Sequence, residues 1–153
     1  MDMIGDTTEA LLASPAVATE AERRNGRTYL LVYGVLQALF LQQDAVSTIR
    51  TSVGLGPEWM PANLKTLREI RNDSVGHPQK RNDGSAHFIV RSLMSPKAFQ
   101  LYSFRRGVEG YEQRWIDVPG LIDENVQAVI AALDQITGVL ETRRHPDGCD
   151  CRL

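Results

Sequence analysis

The chain has 153 residues, 42% of them hydrophobic and 24% charged, with a net charge of −2, which is the size and composition of one water-soluble globular domain. No apolar run reaches the ~18 residues of a membrane span. Asp2, Asp6 and Glu9 stand where a secretory leader carries its basic region, so a cytoplasmic protein with no membrane partner is expected.

Residues 1–26 predict a short N-terminal helix or arm that packs on the rest of the chain or on a second subunit. Asp6-x-x-Glu9 has the form of a capping box. Ser14-Pro15 reads as a restart, with Ser14 as N-cap and Pro15 in the first turn, and Asn25-Gly26 as the stop. Residues 27–52 then carry the strongest helical pattern. Leu31, Val32, Val35, Leu36, Leu39, Phe40, Val46 and Ile49 form a broad apolar face, within a run that Gly34 and Gln37 break and that Gln42-Gln43-Asp44 interrupts. Asp44 falls one turn beyond Phe40, at the border of the stripe. It either stays exposed there or turns inward to pair with Arg71 of the next helix, since a buried carboxylate needs a cation.

Gly54-Leu55-Gly56-Pro57 is a loop, with no preceding strand to make it a phosphate cradle. From about Pro61 a second amphipathic helix turns Leu64, Leu67 and Ile70 inward and leaves Arg71 at the border of the buried face. Gly76 and Pro78 stop it. On an unbroken helix Arg71 and His77 would point about 120° apart; the break frees His77 to fold back toward Arg71. A guanidinium that never loses its proton would then lie beside a group titrating near pH 6.5, a pair suited to work on a phosphodiester. The plainer alternatives are Arg71 as a clamp on a neighbouring helix and His77 as a cap on helix-end carbonyls. Residues 78–85 form a polar loop whose Lys80 and Arg81 are placed to meet a phosphate backbone. The candidate site is therefore Arg71, Asn72 and His77 for catalysis, with Lys80, Arg81 and Asp44 for substrate.

Arg71-Asn72-x4-His77 resembles the Arg-x(4–6)-His signature of the HEPN superfamily, in which a polar residue commonly follows the arginine. The resemblance covers roughly residues 28–141, apart from a β-rich stretch. It implies an up-and-down bundle of four or five helices, often a homodimer. Many members are metal-independent endoribonucleases of toxin–antitoxin and defence systems, while others have lost activity and only bind. Carried onto this chain, it implies His77 as general base on a ribose 2′-OH or as acid on the leaving 5′-oxygen, and Arg71 as the group that stabilises charge on the phosphorane. Asn72 would orient His77 or hold a phosphate oxygen. One histidine does not serve as base and acid at once, so the second motif of a dimer would complete the site. The reaction would need no cofactor and would leave a 2′,3′-cyclic phosphate. A cognate antitoxin or another partner protein would be a further ligand. The alternative is a non-catalytic HEPN-like module that binds a nucleotide, RNA or a partner protein.

Residues 86–118 change character. Stretches 87–91, 99–104 and 111–116 are rich in β-branched and aromatic residues, and Ser95-Pro96-Lys97 and Gly107 to Gly110 supply turns, so a three-stranded antiparallel meander is expected. Its arginines, Arg91, Arg105, Arg106 and Arg114, interleave with Phe99, Tyr102, Phe104, Tyr111 and Trp115. Such interleaving binds single-stranded RNA by stacking and charge; alternatively the aromatics cover the bundle while the arginines face water. Asp117 and Pro119 then open the last helix, with Ile122, Val126, Val129, Ile130, Leu133, Ile136 and Leu140 as its stripe, and Pro146 stops it. Residues 146–153, with Cys149 and Cys151, read as a flexible tail, since one intervening residue is too few for an easy mutual disulfide and two thiols are too few for a closed zinc site.

The whole predicts a mainly α protein, an up-and-down bundle of about four helices over 27–145, with a small antiparallel β-meander inserted before the last long helix. The charge is unevenly spread. From Lys65 to Arg114 ten Lys and Arg face five Asp and Glu, a local +5; the remainder has seven against fourteen, or −7, and the two sum to −2. The motif region is thus the basic part of an acidic protein, which suits a local phosphate-bearing partner. His77, His87 and His145 are scattered, and no metal-binding spacing is present.

Overall fold

Asp2 caps the first helix. Its Oδ1 accepts the Gly5 amide at 2.9 Å and its carbonyl accepts the Asp6 amide. In the computed structural model, which describes residues 2–20, 26–56, 59–76 and 84–143, helix α1 runs from Met3 to Glu20. The expected capping box at Asp6 and Glu9 therefore lies inside the helix, and the cap sits four residues earlier. A side chain at position 5 would stand 2.6 Å from the Asp2 carboxylate, so glycine there lets the cap close.

The restart at Ser14-Pro15 is also corrected, because α1 runs through Pro15 without a break. Proline has no amide to give the carbonyl four residues back, that of Leu11. The Ser14 hydroxyl donates to this carbonyl instead, at 2.7 Å and in a buried position. Ser14 is thus the repair of the proline's missing donor. Ser14→Ala is expected to cost about 1–3 kcal/mol by orphaning the Leu11 carbonyl, and clearly less in a Pro15→Ala background that restores the amide. Thermal melts of the four chains of that cycle check it.

Helix α2 (Gly26–Ser52) lies antiparallel to α1, with Gln42 bonded to Thr8 and the stretch around Val35 and Ala38 opposite Ala10 and Ser14. Helix α3 (Ala62–Arg71) turns back along α2. Helix α4 (Val118–Thr142) again runs in the α2 direction, pairing Asn125 with Gln43 and Gln135 with Arg50. The helices alternate up and down, as the sequence predicts. The apolar core joins Val32, Leu36 and Leu39 of α2 to Leu64, Leu67 and Ile70 of α3. A second cluster sets Val46 of α2 against Val129 and Ala132 of α4. Among the described residues no helix is long and apolar enough to cross a membrane.

Gln42-Gln43 does not interrupt α2. Both side chains are buried, and they enclose Asn125, which is wholly buried. Asn125 Nδ2 donates to Gln42 Oε1 at 2.7 Å and its Oδ1 accepts from Gln43 Nε2 at 2.8 Å, while Gln42 Nε2 donates to Thr8 Oγ1. This chain of amides ties α1, α2 and α4 at one level, and the mutual pairing is what makes the polar groups tolerable in a core.

The meander lies between α3 and α4, as expected. Strands β1 (Ser85–Ile89), β2 (Ala98–Arg105) and β3 (Glu112–Asp117) pair antiparallel in the order β1-β2-β3. Phe88 stands opposite Tyr102, and Phe99 opposite Ile116. The strand period of two sends Phe99, Leu101 and Ile116 into the core. It turns Phe88, Tyr102, Phe104 and Trp115 to the other face. Gly107 and Gly110, with φ of 82° and 94°, allow the tight connection from β2 to β3.

Candidate functional site

Arg71 is the last residue of α3. The next five residues, Asn72–Gly76, open into a wider π turn. Such widened turns are rare and recur at functional positions. On the facing helix α2, Gln37, Phe40 and Asp44 are spaced by three and four and so share one face.

That face receives both arginines of α3. Arg71 Nη2 and Nε donate to the single oxygen Gln37 Oε1 at 2.7 and 3.2 Å, and Nη1 donates to Asn72 Oδ1 at 3.0 Å. The guanidinium carbons of Arg68 and Arg71 lie 4.0 and 4.4 Å from the centre of the Phe40 ring. Both cations are within cation–π range of one aromatic ring.

Asp44 pairs with Arg68 at 2.8 Å, not with Arg71. The helices are antiparallel, so two turns forward on α2, from Gln37 to Asp44, is one turn back on α3, from Arg71 to Arg68. The Asp44 side chain is 45% exposed, and the bridge is a surface contact. Asp44→Ala is expected to change stability by less than about 1 kcal/mol, as measured by denaturant unfolding.

The electrostatic result is asymmetric. Arg68 has a carboxylate partner. Among the described residues Arg71 has only neutral amide acceptors and a ring, so its charge is held in place without being neutralised. Three of its N–H bonds are engaged, and the guanidinium fork has more to give. His77, Lys80 and Arg81 lie outside the described residues. Of the sequence-derived site, the structure brings together Arg71 and Asn72, and sets Asp44 one helical turn away beside Arg68.

The sequence reading missed the groups that hold the π turn. Asp73 is buried, with Oδ1 3.7 Å from His87 Nε2 and Oδ2 3.7 Å from Arg114 Nη2. His87 Nδ1 lies 2.8 Å from Ser103 Oγ, and its Nε2 lies 3.1 Å from Ser85 Oγ. These residues occupy the inner face of the sheet where its apolar part ends. They anchor the turn that follows Arg71 to β1, β2 and β3. His87→Ala is expected to lower stability by about 1–3 kcal/mol through lost polar pairing at this buried junction, seen as an earlier thermal transition. One signal was present: strand alternation puts His87 on the face opposite Phe88, although its pairing with Ser103 depends on the register. Gln37 was visible as a break in the apolar run of α2, but its partner was not.

Among the described residues no group of three or more His, Cys, Asp or Glu side chains stands close enough to hold a metal ion. Compared with known proteins, the chain matches no family model, no curated protein and no solved structure.

Proposed function

We propose that the chain is a HEPN-like endoribonuclease that cleaves RNA without a metal ion, with Arg71 and His77 as its catalytic pair. One observation carries the reading. The Arg71 guanidinium stands at a helix end, oriented by Gln37, Asn72 and Phe40, and among the described residues no carboxylate pairs with it. A preoriented, uncompensated fork is what stabilises charge building on phosphate oxygens.

In this mechanism His77 takes the proton of a ribose 2′-OH, and the 2′-oxygen attacks the adjacent phosphorus. The 5′-oxygen leaves with a proton from the second motif of a homodimer, and a 2′,3′-cyclic phosphate remains. Lys80 and Arg81 hold the neighbouring phosphates. A cytoplasmic toxin or defence component, restrained by an antitoxin, is the setting that fits this activity.

A second reading is a non-catalytic module for nucleotide, RNA or a partner protein. The observation behind it is that Arg71 already makes three hydrogen bonds and a ring contact, which also describes a packing clamp between α2 and α3. Cleavage of total RNA in EDTA by wild type beside His77→Ala separates the two. The nuclease reading expects cyclic-phosphate ends from the wild type, lost in a variant that melts normally. Intact RNA with both proteins sends the assignment to the binding module.

A further inference from the structure

The sheet has one face against the helices and an opposite face on which, apart from the buried Gln100, aromatic side chains are exposed. Trp115, Tyr111 and Phe88 on that opposite face are 60%, 55% and 46% exposed, and Phe104 is 38% exposed. Tyr102 lies among them, its ring stacked on Tyr111 at 4.7 Å, while Phe88 stacks on Phe104 at 5.4 Å. Desolvation, and then the neighbouring Tyr111, push the Tyr102 phenol's pKa up from its ordinary value. The expectation that the aromatics cover the bundle holds for Phe99 alone; the others point away from it. Proteins rarely leave a contiguous aromatic surface without a partner.

We infer that this outer face of the sheet is a stacking platform for unpaired nucleotides of an RNA strand. The identity of the occupant rests on the nuclease reading; the surface itself does not. The charge around it favours a polyanion. Phe88, Tyr102, Phe104 and Tyr111 belong to the segment from Lys65 to Arg114, which carries +5 inside an otherwise acidic chain, and Trp115 follows it directly. The exposed Arg91 and Arg106 follow β1 and β2 at opposite ends of the sheet. Among the described residues the only carboxylate at an outward strand position is Asp117, where β3 passes into α4.

The connection to the motif is short. His87 reaches inward to the π turn after Arg71, and Phe88, the next residue, faces outward. β1 is an edge strand, so the residue that reaches the π turn and the first aromatic residue of the platform are neighbours at the border of the sheet. Base stacking on aromatics tolerates any sequence because every base has a π-face.

The test uses the full chain and a fluorescein-labelled single-stranded DNA dodecamer, which lacks the 2′-OH and survives whether or not the motif cleaves. Anisotropy is expected to show binding, with the corresponding duplex at least about tenfold weaker because its bases are already stacked. Phe88→Ala and Trp115→Ala should each weaken binding by about five- to hundredfold, with unchanged melting since both side chains are exposed. Trp115→Phe should retain most of the affinity. Absence of binding by the wild type, or equal binding by the double alanine variant, overturns the inference. So does a wild-type dimer that the double variant converts to monomers, which would assign the face to a second copy. A chain that binds the strand through these residues yet leaves RNA intact keeps the platform and removes only the nuclease.

Discussion

Arg71→Lys is expected to lower RNA cleavage by about 10²–10³-fold, the usual loss when one preorganised donor to a developing oxyanion is removed. Lysine keeps the charge but not the fork. It cannot engage Gln37 Oε1 with two N–H bonds while donating to Asn72 Oδ1 and standing over the Phe40 ring, as Arg71 does. The charge would remain near the helix end without being aimed. Initial rates on a defined RNA, with melting temperature measured in parallel, decide the matter. A lysine variant that cleaves like the wild type would remove the guanidinium geometry from the mechanism. A variant that melts far earlier would assign Arg71 to packing between α2 and α3. Gln37→Leu adds a control: it keeps the volume, frees two N–H bonds of Arg71 and is expected to give a smaller loss of rate.

The largest effect on stability is expected at Asn125. Its side chain is fully buried and is both donor and acceptor in the amide chain that links α4 to Gln42 and Gln43. Asn125→Ala leaves Gln42 Oε1 and Gln43 Nε2 without that partner, in a place water does not reach. At about 1–3 kcal/mol for each buried group left unpaired, the expected loss is about 3 kcal/mol. For a chain of this size that lowers the melting temperature by about 6–12 °C. Denaturant unfolding with an unchanged slope would confirm a loss of stability rather than a change in the unfolded chain. A shift near zero would mean that the two glutamines find each other when Asn125 is gone. Replacing all three residues by leucine should recover much of the loss, because a buried polar network is easier to delete whole than to break.

The main elements were legible because their signals are local. The apolar stripes of α2 and α4, the stop after Arg71, and the three β-branched and aromatic runs with their turns all lie within a few residues of one another, and each appears where the sequence places it. The misread positions fail for identifiable reasons. Pro15 looks like a helix start until the Ser14 hydroxyl is seen on the Leu11 carbonyl. Gln42-Gln43 looks like an interruption until Asn125, far along the chain, is placed between them. Asp44 stays at the exposed border of the stripe, one of the two alternatives the sequence left open, but its partner Arg68 was not legible because the choice between Arg68 and Arg71 depends on how two antiparallel helices are offset. His87 looked isolated because Asp73, its partner in the motif turn, is set beside it only when the sheet closes over α3.

By itself, then, the sequence determined the order and type of the elements, the basic character of residues 65–114 and the position of Arg71 at a helix end. Periodicity, turn chemistry and charge are written along the chain and need no partner. Only the tertiary structure decided which polar groups meet: Gln37 with Arg71, Arg68 with Asp44, Asp73 with His87 and Arg114. It also decided which side of the sheet the aromatic residues cover. These outcomes depend on helix offset and strand register, since one residue of slip turns every side chain of a strand to the opposite face.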